Sequence, residues 1–156
     1  LRTAPDDPYF LELKGQVLLE SGKPLDALPP LREAVKKAPD APMIAAMLGH
    51  ALIATEKPEN FPEAERVLKT AVNRDNDNPF AWYQLGVIYD RKGDVARAAL
   101  ATAERYNLEG NPKLALVSAE TALRGIPAGT PDYLRAQEIA MVSRTAVKKD
   151  KDKRDR

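Results

Sequence analysis

From Pro8 the chain reads PYFLELKGQVLLESGKPLDALPPLREAVKKAPD, in which apolar and small residues return at helical rather than alternating spacing. The pattern predicts one helix holding Gly15, a turn at Gly22, a second helix holding Ala27 and Ala34, and a stop at Pro39. The stretch Pro42 to Thr55 is apolar nearly all round its helix and carries His50. Such a helix is either wholly buried or exposes an apolar patch reserved for a partner. The last helix, from about Pro131 to Lys148, sets Tyr133, Leu134, Ile139, Met141, Val142 and Val147 among Arg135, Gln137, Glu138, Arg144 and Lys148. Two faces of that kind are expected of a helix that seals the end of a stack against water.

The order glycine, turn, alanine, alanine then repeats. Gly15 and Gly49 lie 34 residues apart, and Gly49 and Gly86 lie 37 apart. Ala27 to Ala64 and Ala34 to Ala71 are also 37, which places a three-residue insertion between Leu52 and Ala64, in EKPENFP. Small residues at these places are expected to let paired helices approach closely. Trp82, Tyr89, Leu11, Leu18 and Leu52 are expected to fill the space between successive pairs. After Gly93 the period halves. Gly110-Asn111-Pro112 follows 17 residues later, so Val95 to Leu108 and Pro112 to Arg124 are read as an antiparallel pair. Pro29-Pro30 breaks a local rule, because proline inside a helix removes backbone bonds at a cost of about 3 kcal/mol. Either a kinked second helix or one starting near Pro30 would accommodate it.

Composition narrows the function classes. The 24 Lys plus Arg against 23 Asp plus Glu leave a formal charge of +1, no electrostatic reason to expect nucleic acid or an anionic membrane. The basic run Lys148 to Arg156 is expected to be a solvated helix end, with 150–156 a charged tail. No cysteine is present, which removes disulfides, thiolate metal sites and cysteine nucleophiles. No stretch reaches the roughly 20 apolar residues of a membrane-spanning helix. The chain opens on Leu1 without a charged-then-apolar leader, as expected of a mature protein or of a domain from a longer one. His50 is the sole histidine, so an H-E-x-x-H pair cannot be built, and a packing or groove-lining role is expected for it. Asp75-Asn76-Asp77-Asn78 faintly resembles a calcium loop but lacks its glycine and distal Glu; a polar turn capping the helix from Pro79 is the simpler reading. No catalytic, cofactor-binding or metal-binding residue is expected.

Trp82, Leu85, Gly86 and Tyr89 stand in the order W-x2-L-G-x2-Y, and with the period of 34 the chain resembles the tetratricopeptide repeat (TPR) family. The resemblance implies an all-α fold, a right-handed superhelical solenoid of antiparallel helix pairs, about eight helices in all. Units are expected at about 8–41, 42–78 and 79–109, with a divergent pair and cap at 112–149, giving one domain over 1–149. In that family the first helix of each unit lines a concave binding surface. The positions it implies are Tyr9, Glu12, Leu13 and Gln16, then Met43, Ala46, Met47 and His50, then Phe80, Tyr83, Gln84, Val87 and Asp90. Chaperone-binding members grip a C-terminal carboxylate with Lys, Asn and Arg. Here those places hold Glu12, Gln16, Met47, Phe80 and Gln84, so an acidic tail is not the expected ligand and apolar polypeptide is. The wording from Leu13 to Thr55 and from Trp82 to Glu104 is also similar to the C-terminal repeat region of BepA-like secreted bacterial zinc metalloproteases, over roughly Asp7 to Met141. That resemblance implies a non-enzymatic, periplasmic domain that handles substrate or assembly machinery for a catalytic domain. A free-standing scaffold and a homo-oligomerisation module are the alternatives.

Overall fold

The computed structural model describes residues 6–156. Among them lie eight α-helices, one 3-10 turn and no strand: α1 (Pro8–Glu20), α2 (Pro24–Lys37), α3 (Pro42–Ala54), the 3-10 turn (Pro58–Asn60), α4 (Phe61–Arg74), α5 (Pro79–Arg91), α6 (Val95–Leu108), α7 (Pro112–Gly125) and α8 (Pro131–Arg154). This is the expected all-α solenoid type. Proline stands first in α1, α2, α3, α5, α7 and α8, where its fixed φ suits the helix and its missing N–H costs nothing. Side chains of Asp7, Asn78, Asp94, Asn111 and Thr130 accept hydrogen bonds from the first-turn amides, each worth about 1 kcal/mol. Asn78 thus performs the capping expected of the polar run before Pro79. The chain divides into two compact units between Asn76 and Asp77.

In the first unit α1 packs on α2, α2 on α3 and α3 on α4, and α1 also touches α3. Each antiparallel pair closes at a glycine lying under a leucine. A Cβ built on Gly15 would sit 2.6 Å from Leu31 Cδ2, and one on Gly49 would sit 2.7 Å from Leu68 Cδ2. Neither leaves room for a methyl group. Leu31, Ile44, Leu48, Leu52 and Leu68 form the floor of this core, all wholly buried. Pro29 and Pro30 lie inside an unbroken α2 that begins at Pro24, which excludes a start near Pro30. Their absent N–H groups would have met the carbonyls of Leu25 and Asp26, both of them exposed residues. The turn after α3 holds Glu56 at φ 55°, in the place that Gly22 and Gly93 take after α1 and α5. A side chain in this left-handed region costs roughly 1–2 kcal/mol.

The second unit is built differently. α6 packs on α5 on one side and on α7 on the other, while α8 packs on α7 and back on α6. The alanine-rich sequence of α6 allows this: Ala98 and Ala101 face Gly86 of α5, while Leu100 and Ala103 join Ala115, Ala119, Ala122, Ile126, Ala136, Ile139 and Ala140 in a second core. The end of α7 closes on the start of α6, where a Cβ on Gly125 would meet Ala96 Cβ at 2.6 Å. Gly86 itself is not tight. Its nearest neighbours would stand 3.6 and 3.7 Å from a Cβ, ordinary contact, because Ala101 and Thr102 replace the opposing leucine of the first unit. Of the four glycines within helices, the one in the fullest signature is thus the one the packing requires least.

α8 continues six residues past Lys148 to Arg154, and these residues are exposed, as the solvated helix end expected of the basic run requires. It packs against α6 and α7 with one side only. Ala136, Ile139, Ala140 and Ser143 are buried, whereas Leu134, Met141 and Val142 are exposed.

Candidate partner-binding faces

The first unit offers a face made from α1 and α3. Tyr9, Glu12, Leu13 and Gln16 follow one side of α1 at helical spacing, and Met43, Ala46, Met47 and His50 do the same on α3. Tyr9 and Leu13 are exposed, and Met43 is 54% exposed. Glu12, Gln16, Met47 and His50 are half-buried. Ala46 is wholly buried, so it underlies the face rather than forming it. Partial burial raises the carboxyl pKa of Glu12 above its ordinary value. Gln16 is tied along the helix to Glu20 by a 3.0 Å hydrogen bond. Two exposed residues were missed: Phe10 and Val17 lie uncovered on a neighbouring side of α1. Their spacing of seven residues was the available signal.

In the second unit Phe80, Tyr83, Gln84, Val87 and Asp90 share one side of α5. Tyr83 is 51% exposed and Asp90 is exposed, Phe80 and Val87 are half-buried, and Gln84 is buried. Arg105 of α6 stands over the Tyr83 ring at 5.4 Å and over Tyr106 at 4.6 Å, and it pairs with Glu109 at 3.4 Å. The guanidinium is thus within cation–π range of Tyr83, which stays about half exposed. Trp82, one residue away, is buried beneath Arg135 of α8 at 5.0 Å and works for the fold.

Ion pairs join α8 to α6 in this unit. Arg97 donates to Asp94 at 3.1 Å and to Asp132 at 3.2 Å, and the first of these bonds is the largest influence raising its pKa. Arg135 donates to Glu104, which is itself buried. Burial is the main cause that lifts the Glu104 pKa above its ordinary 4.5; the nearby Glu138 adds to it and Arg135 opposes it.

Among the described residues no group of three or more His, Cys, Asp or Glu is arranged to hold a metal ion. No helix among them is long and apolar enough to cross a membrane.

Comparison with known proteins shows what this architecture is shared with. The family profile described as tetratricopeptide repeat matches residues 1–42, 12–60 and 47–115, so it ends inside α7. No curated protein sequence matches the chain. Among solved structures, a crystal structure of MamA superimposes with a TM-score of 0.64 at 18% identity, covering 90% of this chain and 82% of the other. A second MamA crystal structure gives 0.63 at 19%, covering 93% and 77%. A thermophilic TPR protein of Thermus thermophilus gives 0.52 at 22%, covering 88% and 83%. At such identities the likeness is one of fold. The repeats, the paired helices and the profile covering residues 1–115 agree: the chain belongs to the tetratricopeptide repeat family.

Proposed function

We propose that this chain is a non-catalytic module that binds polypeptide through apolar side chains on its first-type helices. The exposed Tyr9, Leu13 and Met43 of the first unit carry the reading. Large apolar residues left in water at helical spacing on a repeat scaffold suit an apolar segment of another chain or a neighbouring domain. No cluster of Lys, Asn and Arg stands on these positions to grip a C-terminal carboxylate. Glu12, itself a carboxyl, stands at one of them.

The similarity in wording to the repeat region of BepA-like zinc metalloproteases supports a finer assignment: a periplasmic domain that handles outer-membrane proteins, or their assembly machinery, for a catalytic domain. The experiment is a pull-down of an unfolded outer-membrane protein by the chain and by Leu13→Glu and Tyr83→Ala, with circular dichroism as control. Loss of capture with unchanged helicity supports the reading; undiminished capture by both variants contradicts it. A second reading has its own observation. Exposed Leu134, Met141 and Val142 on α8 favour self-association, which light scattering over a range of concentrations would reveal.

A further inference from the structure

The contact between α6 and α8 leaves a groove of about 510 Å³ alongside it. Glu104 and Asn107 line it from α6, and Leu134, Arg135, Glu138 and Val142 line it from α8. Asn107 and Val142 also border a smaller cavity of about 320 Å³, which extends the groove to Ser143 and Asp150. None of these residues belongs to the first-type helix faces described above.

The charges in the groove do not balance. Asp132 at its end is held by Arg97, and Glu104 is held by Arg135. Glu138 is exposed and has no hydrogen-bond or ion-pair partner among the described residues. Its charge bears on the buried Glu104, so a cation placed beside Glu138 would relieve both carboxyls at once. Leu134 and Val142 flank Glu138 one helical turn to either side and are exposed, giving an apolar, anionic, apolar stripe along α8. In the extension the Ser143 hydroxyl is buried and is the one enclosed side-chain polar atom among the described residues without a hydrogen-bond partner.

We propose that the α6–α8 groove is a second binding site, taking an apolar polypeptide segment that carries a Lys or Arg against Glu138. The inference rests on the reading that the chain binds polypeptide, and it adds a charge preference the α1–α3 face does not have. The occupant is cationic because Glu104 is held by Arg135 and Asp132 by Arg97, which leaves Glu138 as the lining carboxylate without a cation. Apolar flanks on the occupant are required by Leu134 and Val142.

The test uses the full chain and a short fluorescent peptide of leucine and alanine bearing lysines, beside a twin bearing glutamates. Fluorescence anisotropy should show the lysine peptide binding at least about tenfold more tightly than its twin. Glu138→Lys should erase that preference, and Val142→Asn should weaken the apolar contribution without adding charge. Both positions are exposed, so the helical spectrum should not change. Equal binding of the two peptides, or a lysine preference that survives Glu138→Lys, overturns the groove assignment. If the lysine peptide is then lost in Leu13→Glu, binding by the first unit stands and only the second site fails. Failure of every variant and of the unaltered chain to bind either peptide overturns both.

Discussion

The first unit closes each helix pair by sliding a glycine under a leucine, as Gly15 does with Leu31 and Gly49 with Leu68. The second unit has a glycine at the corresponding place, Gly86, but opposes it with Ala101 and Thr102 and leaves it ordinary room. What replaces the glycine–leucine lock there is α6, a helix poor in bulk that packs on α5 with one side and on α7 and α8 with the other. The difference shows that one repeat signature can stand over two packing solutions. It also bears on function: the first unit exposes a largely apolar face, and the second adds a groove in which carboxylates outnumber cations.

The comparison can be broken most forcefully at Trp82. This buried ring spans the α5 core and the Arg135 guanidinium, and Trp82→Ala should cost about 3–5 kcal/mol, read as a lower urea midpoint. A shift no larger than that of an exposed substitution would show that the second unit does not depend on it. Gly49→Ala should destabilise by about 1–3 kcal/mol, since Leu68 must move. Gly86→Ala should do the opposite, stabilising by up to about 1 kcal/mol as the helix gains alanine propensity. Equal signs for this pair would erase the distinction between the units. In the first unit Glu56→Gly should stabilise by roughly 1 kcal/mol by relieving the left-handed turn residue.

The smallest effect is electrostatic. Because the folded-state pKa of Glu104 lies above 4.5, its stabilising contribution is complete below that value and is lost as pH rises through the raised pKa. Thermal unfolding of the chain against Glu104→Gln should therefore show the unaltered protein losing relative stability as pH climbs above 4.5.

Much of this was legible in the chain. Prolines at helix starts, capping Asp, Asn and Thr residues, and the spacing of glycines and alanines placed the helices and the family, because these features act locally. What was not legible depends on partners distant in sequence. Whether a glycine is tight is decided by the residue across from it, so Gly49 and Gly86 look alike until Leu68 and Thr102 are set beside them. The turn position held by Glu56 was hidden because its usual glycine had been replaced. Helical spacing sets the expected residues along one side each of α1, α3 and α5 but could not rank exposure: α3 is apolar all round, so Met43 in water and Ala46 in the core read the same way. The α6–α8 groove was invisible for a related reason. Glu104, Arg135 and Glu138 lie on helices that only the packing brings together, and each alone is an ordinary surface charge.

The account turns on apolar recognition by the α1–α3 face, and a titration of an unfolded outer-membrane polypeptide into the chain and into Leu13→Glu tests it most directly. Leu13 is exposed, so its replacement should leave the helical spectrum and unfolding midpoint unchanged. The predicted result is a loss of affinity of about tenfold or more for Leu13→Glu at equal stability. Identical binding curves for the two proteins would contradict it.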